Sequence, residues 1–155
     1  METRIDFRKV SPRAVQAMLG LQNYVNASGI EHNVLELVKM RASQINGCAY
    51  CLDMHSKDAR AAGESEQRLY VLPAWRETSF YSTRERAALA WCEALTQLPA
   101  HDQSVPDALY EEARAQFDEK ELVDLTLLVT LINSWNRINI AAQPEVGDYK
   151  PGMFD

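Results

Sequence analysis

Apolar residues recur along this chain at spacings of three and four, and the strict alternation of a half-buried strand is absent. The pattern predicts helices throughout. Ser11-Pro12 opens the first, with a hydroxyl to cap free amides and a proline suited to the first turn. Val15, Met18, Leu19, Gln22 and Val25 continue it at helical spacing until Gly29. A second helix is predicted from about Glu31 to Ile45, with Val34, Leu35, Val38, Ala42 and Ile45 as its inner stripe, and Asn46-Gly47 ends it. A third runs from Cys48 to Ala62 and closes at Gly63. Glu64 to Leu72 reads as a short helix broken by Pro73, and Pro73 to Tyr81 as a loop whose Trp75 and Phe80 should pack against something. Ser82-Thr83-Arg84-Glu85 is a capping box that introduces a helix ending at Pro99. Ser104-Val105-Pro106 starts another, through about Phe117. Asp118 to Glu121 caps the last, which is apolar almost all round from Leu122 to Ile140 and therefore buried on most sides. The tail after Gln143 reads as irregular. The expectation is an all-α, compact single-domain bundle of six to seven helices over residues 1–155.

Composition narrows the partners. With 155 residues, 46% of them hydrophobic and 25% charged, the chain can bury a real core. Its net charge of -6 repels phosphate backbones and anionic headgroups, which disfavours nucleic acid and membrane surfaces as partners. No basic stretch followed by an apolar run opens the sequence, and the richest apolar segment, Leu122 to Ile132, is short and contains Asp124. A cytoplasmic protein is expected, and reducing conditions there disfavour purely structural disulfides.

Against that background the pair Cys48-Ala49-Tyr50-Cys51 is chemically informative. On a helix, Cys51 and His55 are four residues apart on one face, and Cys48 is three residues from Cys51 near the N-terminus, where free amides favour an anion. A free thiol ionises near ~8.5, and a shift of about 1.5 units brings it to roughly half thiolate at neutral pH. The cost is about 2 kcal/mol, within reach of a helix end and an imidazolium together. A second cysteine then rescues a sulfenic acid as a disulfide. Glu36, on the apolar preceding helix, is expensive to bury alone and is placed to exchange a proton with His55 and the cysteines. A zinc set of Cys48, Cys51, His55 and His32 is the competing reading of the same spacing. Cys92 among apolar neighbours reads as a core thiol, Trp135 and Arg137 as packing or interface groups, and His101 as a loop residue.

The run Lys39-Met40-Arg41-Ala42-Ser43-Gln44-Ile45-Asn46-Gly47-Cys48-Ala49-Tyr50-Cys51-Leu52-Asp53-Met54-His55, preceded by Glu36 and joined by Ile132-Asn133-Ser134-Trp135-Asn136-Arg137-Ile138-Asn139, resembles the alkylhydroperoxidase D-like proteins of the carboxymuconolactone decarboxylase superfamily. The resemblance implies an all-α subunit that assembles into trimers or hexamers and reduces a small hydroperoxide with its own dithiol. It implies no bound cofactor and no metal, and an external dithiol reductant, which in relatives can be a lipoylated protein. It also implies Cys51 as the peroxidatic thiol, Cys48 as the resolving one, and His55 with Glu36 as a proton relay. Helix-end electrostatics instead favours Cys48 as the thiolate, so the order of the two stays open. Tyr50 departs from the family pattern, whose best-known peroxidase has a histidine between its cysteines. This keeps a general thiol-disulfide oxidoreductase or redox sensor as the alternative activity. The branch that gives the superfamily its name lacks the pair, which disfavours decarboxylation.

Overall fold

Proline and capping side chains set most helix starts in the structure, a computed structural model that describes residues 3–98 and 105–153. A single turn, α1 (Phe7–Val10), precedes α2 (Pro12–Asn26), whose first residue is the predicted proline. The Ser11 hydroxyl makes no capping bond, contrary to expectation. Its backbone N–H instead closes α1 on Phe7 O, so this residue ends one helix while its carbonyl starts the next.

Helix α3 (His32–Asn46) and α4 (Ala49–Ala61) lie within about a residue of their predicted spans. Ser65 caps the short α5 (Glu66–Val71), accepting from Arg68 N. The predicted loop beyond it is a 3-10 helix over Leu72–Glu77 before it becomes irregular. Pro73 sits in the first turn of that helix, where its missing N–H has no partner to lose, so the proline starts a helix as well as ending one. Trp75 is buried and donates to Glu93, whereas Phe80 stays exposed. The predicted capping box forms, Ser82 with Glu85, on α6 (Thr83–Thr96), and the predicted cap of α8 (Glu119–Ala142) is also a capping box, Asp118 with Glu121. Between them α7 (Asp107–Arg114) stops a turn short of Phe117, which is drawn into the core. The predicted stop at Pro99, the start at Ser104 and His101 lie outside the described residues. The described residues hold eight α-helices and one 3-10 helix and no strand, so the all-α expectation holds, with two short helices, α1 and the 3-10 helix, beyond those foreseen.

The centre belongs to α3 and α8. Helix α3 packs against α4, α6 and α8. Its Val34, Leu35 and Val38 join Ala88, Trp91, Leu125, Leu128 and Ile132 in the main core, while Leu37 and Met40 face a second cluster with Leu69, Leu72 and Trp75. A helix buried on two sides carries its polar residues inside with it, which puts Glu36 and Lys39 within the fold. Helix α8 is buried on most sides as predicted, but Val123, Thr130, Arg137 and Ile140 form an exposed stripe. None of the described helices is long and apolar enough to cross a membrane.

Candidate active site

The site is built on the α3–α4 turn. Gly47 caps α3 in the left-handed region (φ 68°), where a side chain is disfavoured, and the reversal delivers Cys48 to the N-cap of α4. The Cys48 sulfur accepts from Cys51 N at 3.4 Å, so it takes the place that an oxygen takes in ordinary caps. Cys48 and Cys51 are joined as a disulfide, with Cα atoms 5.4 Å apart, and both residues are fully buried. The third cysteine, Cys92, is a buried core thiol whose ionisation burial pushes up to about 12. It is therefore a neutral group, as the sequence suggested.

On α3, Glu36 receives two partners. His55 Nδ1 lies 3.1 Å from Glu36 Oε2, and Lys39 Nζ donates to Oε1 at 2.7 Å. Burial pushes the Glu36 carboxyl up, but the hydrogen bond and charge of His55, together with Lys39, outweigh it and hold the carboxyl down at about 2. His55 shares the face of α4 with Cys51, one turn away, and the expected pairing of His55 with Glu36 is present. The hydrogen bond to the Cys51 sulfur comes from elsewhere: Asn139 Nδ2 on α8 donates to it at 3.4 Å.

Asn139 belongs to a polar stripe that sequence reading passed over. Asn133, Asn136 and Asn139 recur every three residues on an apolar helix. Asn46, at the end of α3, donates to both Asn133 (3.0 Å) and Asn136 (2.9 Å), and Asn136 donates to Ser43 at 3.0 Å. These bonds pin α3 to α8 next to the cysteine turn. The stripe's period was visible in the sequence, but its partners are about 90 residues away along the chain.

His55, Glu36, Lys39, Tyr50 and Asn139 open onto a cavity of about 520 Å³. Val15, Leu19, Leu128, Leu131 and Ile132 give it an apolar wall. Trp135, expected only to pack, also lines it, and its indole donates to Gln22 at 3.0 Å. Arg137 is exposed and turned to Asn133. Two further groups that the sequence did not single out face the same space: Asp58 and, from the C-terminal segment, Tyr149, whose hydroxyl donates to Asp58 at 2.8 Å.

The zinc set does not assemble. Disulfide sulfurs carry no ligating charge, and His32 is largely exposed, 4.0 Å from Glu36. Among the described residues, the grouping with ligand atoms mutually within 4.8 Å is Glu36, His55 and Asp58, and there the Lys39 ammonium already occupies a cation's place on Glu36.

The same architecture is found in known proteins. The profile of the carboxymuconolactone decarboxylase family matches residues 12–94, more than half of the chain. The uncharacterized protein YdfG of Bacillus subtilis is 46% identical over 141 residues, covering 91% of this chain and 95% of its own. A crystal structure of a protein of unknown function from Agrobacterium tumefaciens, given a provisional assignment as the antioxidant defence protein AhpD, superposes with a TM-score of 0.89 at 42% identity. The match covers 96% of this chain and all (100%) of that one. The debrominase Bmp8 shares the fold alone, at a TM-score of 0.78 and 23% identity over 90% of this chain and 74% of its own. The chain belongs to the carboxymuconolactone decarboxylase family, in its alkylhydroperoxidase D-like form.

Proposed function

We propose that this protein is a thiol peroxidase that reduces hydroperoxides through Cys51 and Cys48. The observation that carries the reading is the disulfide at the head of α4, with His55 one turn along the same helix, paired to Glu36 and opening with it onto a cavity whose lining does not include the buried Cys48 and Cys51. In the reduced protein the Cys51 thiolate attacks the terminal oxygen of the hydroperoxide. The O–O bond breaks, the alkoxide leaves with the electron pair, and a proton converts it to the alcohol. Cys51 becomes a sulfenic acid, and Cys48 displaces its oxygen as water to form the disulfide. An external dithiol, a small molecule or a lipoylated protein, then reduces the pair and is itself oxidised.

Several features support Cys51 as the attacking sulfur. It shares a helical face with His55, and the Asn139 amide already donates to it, a bond that stabilises a thiolate. Cys48 has the helix N-cap, which suits a sulfur that must carry negative charge when it resolves the sulfenic acid or leaves during reduction. Glu36, kept ionised, holds His55 by Nδ1 and leaves Nε2 as the nitrogen for proton exchange with sulfur or peroxide. The apolar wall gives an organic group a place to sit. Assembly into a trimer or hexamer belongs to the same proposal.

The test is consumption of an organic hydroperoxide with excess dithiol. Turnover that is lost in Cys51→Ser is the expected result, and turnover that survives it refutes the assignment. Sulfenic acid formation no faster than that of an ordinary thiolate would instead make the pair a thiol-disulfide reductase or redox sensor, the alternative that Tyr50 between the cysteines keeps open.

A further inference from the structure

The cavity holds a second carboxylate that the chemistry above does not use. Asp58 lies one turn beyond His55 on α4, and its ligand oxygen, a His55 nitrogen and a Glu36 oxygen are mutually within 4.8 Å. Two carboxylates flanking one imidazole resist ionising together, so their environments divide the work. Glu36 is locked as an anion by His55 and Lys39. Among the described residues no Lys or Arg lies at salt-bridge distance from Asp58, which accepts a hydrogen bond from the Tyr149 hydroxyl at 2.8 Å. Burial first, and the Glu36 charge as well, push the Asp58 carboxyl up against the lowering effects of Tyr149, His55 and Lys39. A group that must load and unload a proton is better served by Asp58 than by Glu36.

We propose that Asp58, held by Tyr149, is the proton-carrying partner of His55 in the dithiol reaction, so that the C-terminal segment completes the site. The inference rests on the dithiol chemistry described above. When the Cys51 thiol ionises, its proton passes through His55 to the Asp58 carboxylate. The thiolate then forms its bond to the peroxide oxygen, the O–O bond breaks, and the departing alkoxide takes the proton from Asp58, leaving alcohol and sulfenic acid. In the reductive direction an external dithiol attacks Cys51 and Cys48 leaves as the thiolate; the reductant's second thiol then closes on the mixed disulfide, and the Cys51 thiolate released takes its proton by the same path while the dithiol is oxidised to its disulfide.

The groups around Asp58 are few enough to control. On α3 they are Glu36 and Lys39, on α4 His55, and on the C-terminal segment Tyr149, while Arg8, His32 and Tyr50 line the same cavity. Tyr149 is nearly buried, and the segment that carries it is tied to α4 by Lys57 Nζ on Gly147 O (2.7 Å) and by Gly147 N on Asp53 (3.3 Å). Pro151 and Gly152 continue along the cavity edge. The tail is thus seated on the same helix that carries His55 and Asp58.

The experiment follows both half-reactions in single turnover against pH: oxidation of the reduced protein by an organic hydroperoxide, and reduction of the disulfide by dithiothreitol, corrected for the reductant's thiolate fraction. The wild-type protein is expected to show one shared acidic ionisation in the two arms. Asp58→Asn should lower the oxidation rate by about a hundredfold and abolish that limb, and Asp58→Glu should restore it. Tyr149→Phe, which removes a bond that lowers the Asp58 ionisation, should move the limb to higher pH. A limb unchanged in Asp58→Asn, with or without a uniform loss of rate, overturns the proposal. If Asp58→Asn fails to fold, an unmoved limb in Tyr149→Phe overturns it equally. A wild-type protein that ignores peroxide yet shows the Asp58 limb on reduction would sink the peroxidase reading and keep this one.

Discussion

Glu36 shows how a single residue is held in a costly place. A buried carboxylate without partners is strongly disfavoured, and here His55 and Lys39 reverse the balance. Its carboxyl sits at about 2 against an ordinary 4.5, so ionised Glu36 stabilises the folded state above pH 4.5, and that contribution is lost as pH falls toward 2. The difference corresponds to roughly 3 kcal/mol. Denaturant unfolding of the oxidised protein should therefore show stability falling between these pH values, and Glu36→Gln should flatten the dependence while lowering stability at neutral pH. An identical slope in the variant would remove Glu36 from this role. Asn139 gives a second prediction. Hydrogen bonds to charged groups contribute about 1.5–3 kcal/mol, so Asn139→Ala should disfavour the Cys51 thiolate and slow its alkylation at neutral pH by roughly tenfold or more in the reduced protein. Glu36 and His55 were legible because their spacing from the cysteines is local. Asn139, Asp58 and Tyr149 were not, since each meets its partner across about 90 residues of chain and no pattern within one helix announces that meeting.

At the scale of elements, the decisive piece is the turn between α3 and α4. Gly47 needs a positive φ, and a Cβ added there would meet nothing within 4 Å, so its substitution costs backbone strain and not a clash. Gly47→Ala should destabilise by about 1 kcal/mol, a drop in Tm of a few degrees, with the disulfide still able to form. A much larger loss would mean that the turn is held by packing. The Ser82 capping box, the Asp118 cap and the Gly47 stop could be read directly, because capping chemistry is carried by neighbouring residues. Helix α1 and the 3-10 helix after α5 could not. One turn is too short to show periodicity, and Pro73 is compatible with either ending a helix or starting one.

For the whole molecule, the fold brings three distant stretches to one place: the α3–α4 turn, the last turns of α8 and the C-terminal segment. The asparagine bridges from Asn46 to Asn133 and Asn136 tie α8 to the end of α3 next to the cysteine turn, while Phe7, Trp135 and Tyr149 line the cavity onto which His55 and Glu36 open. All-helical architecture followed from periodicity alone, and the dithiol from its spacing. The cavity followed from neither, because its apolar wall, Val15, Leu19, Leu128, Leu131 and Ile132, reads residue by residue as helix core. The central claim is that Cys48 and Cys51 cycle between dithiol and disulfide at the expense of a peroxide, and counting thiols tests it most directly. Fully reduced protein, with its three cysteines, should fall to a single reactive thiol in denaturant, Cys92, after one equivalent of organic hydroperoxide. It should recover all three with excess dithiol. A count that stays at three after peroxide, or that falls without recovering, would contradict the account.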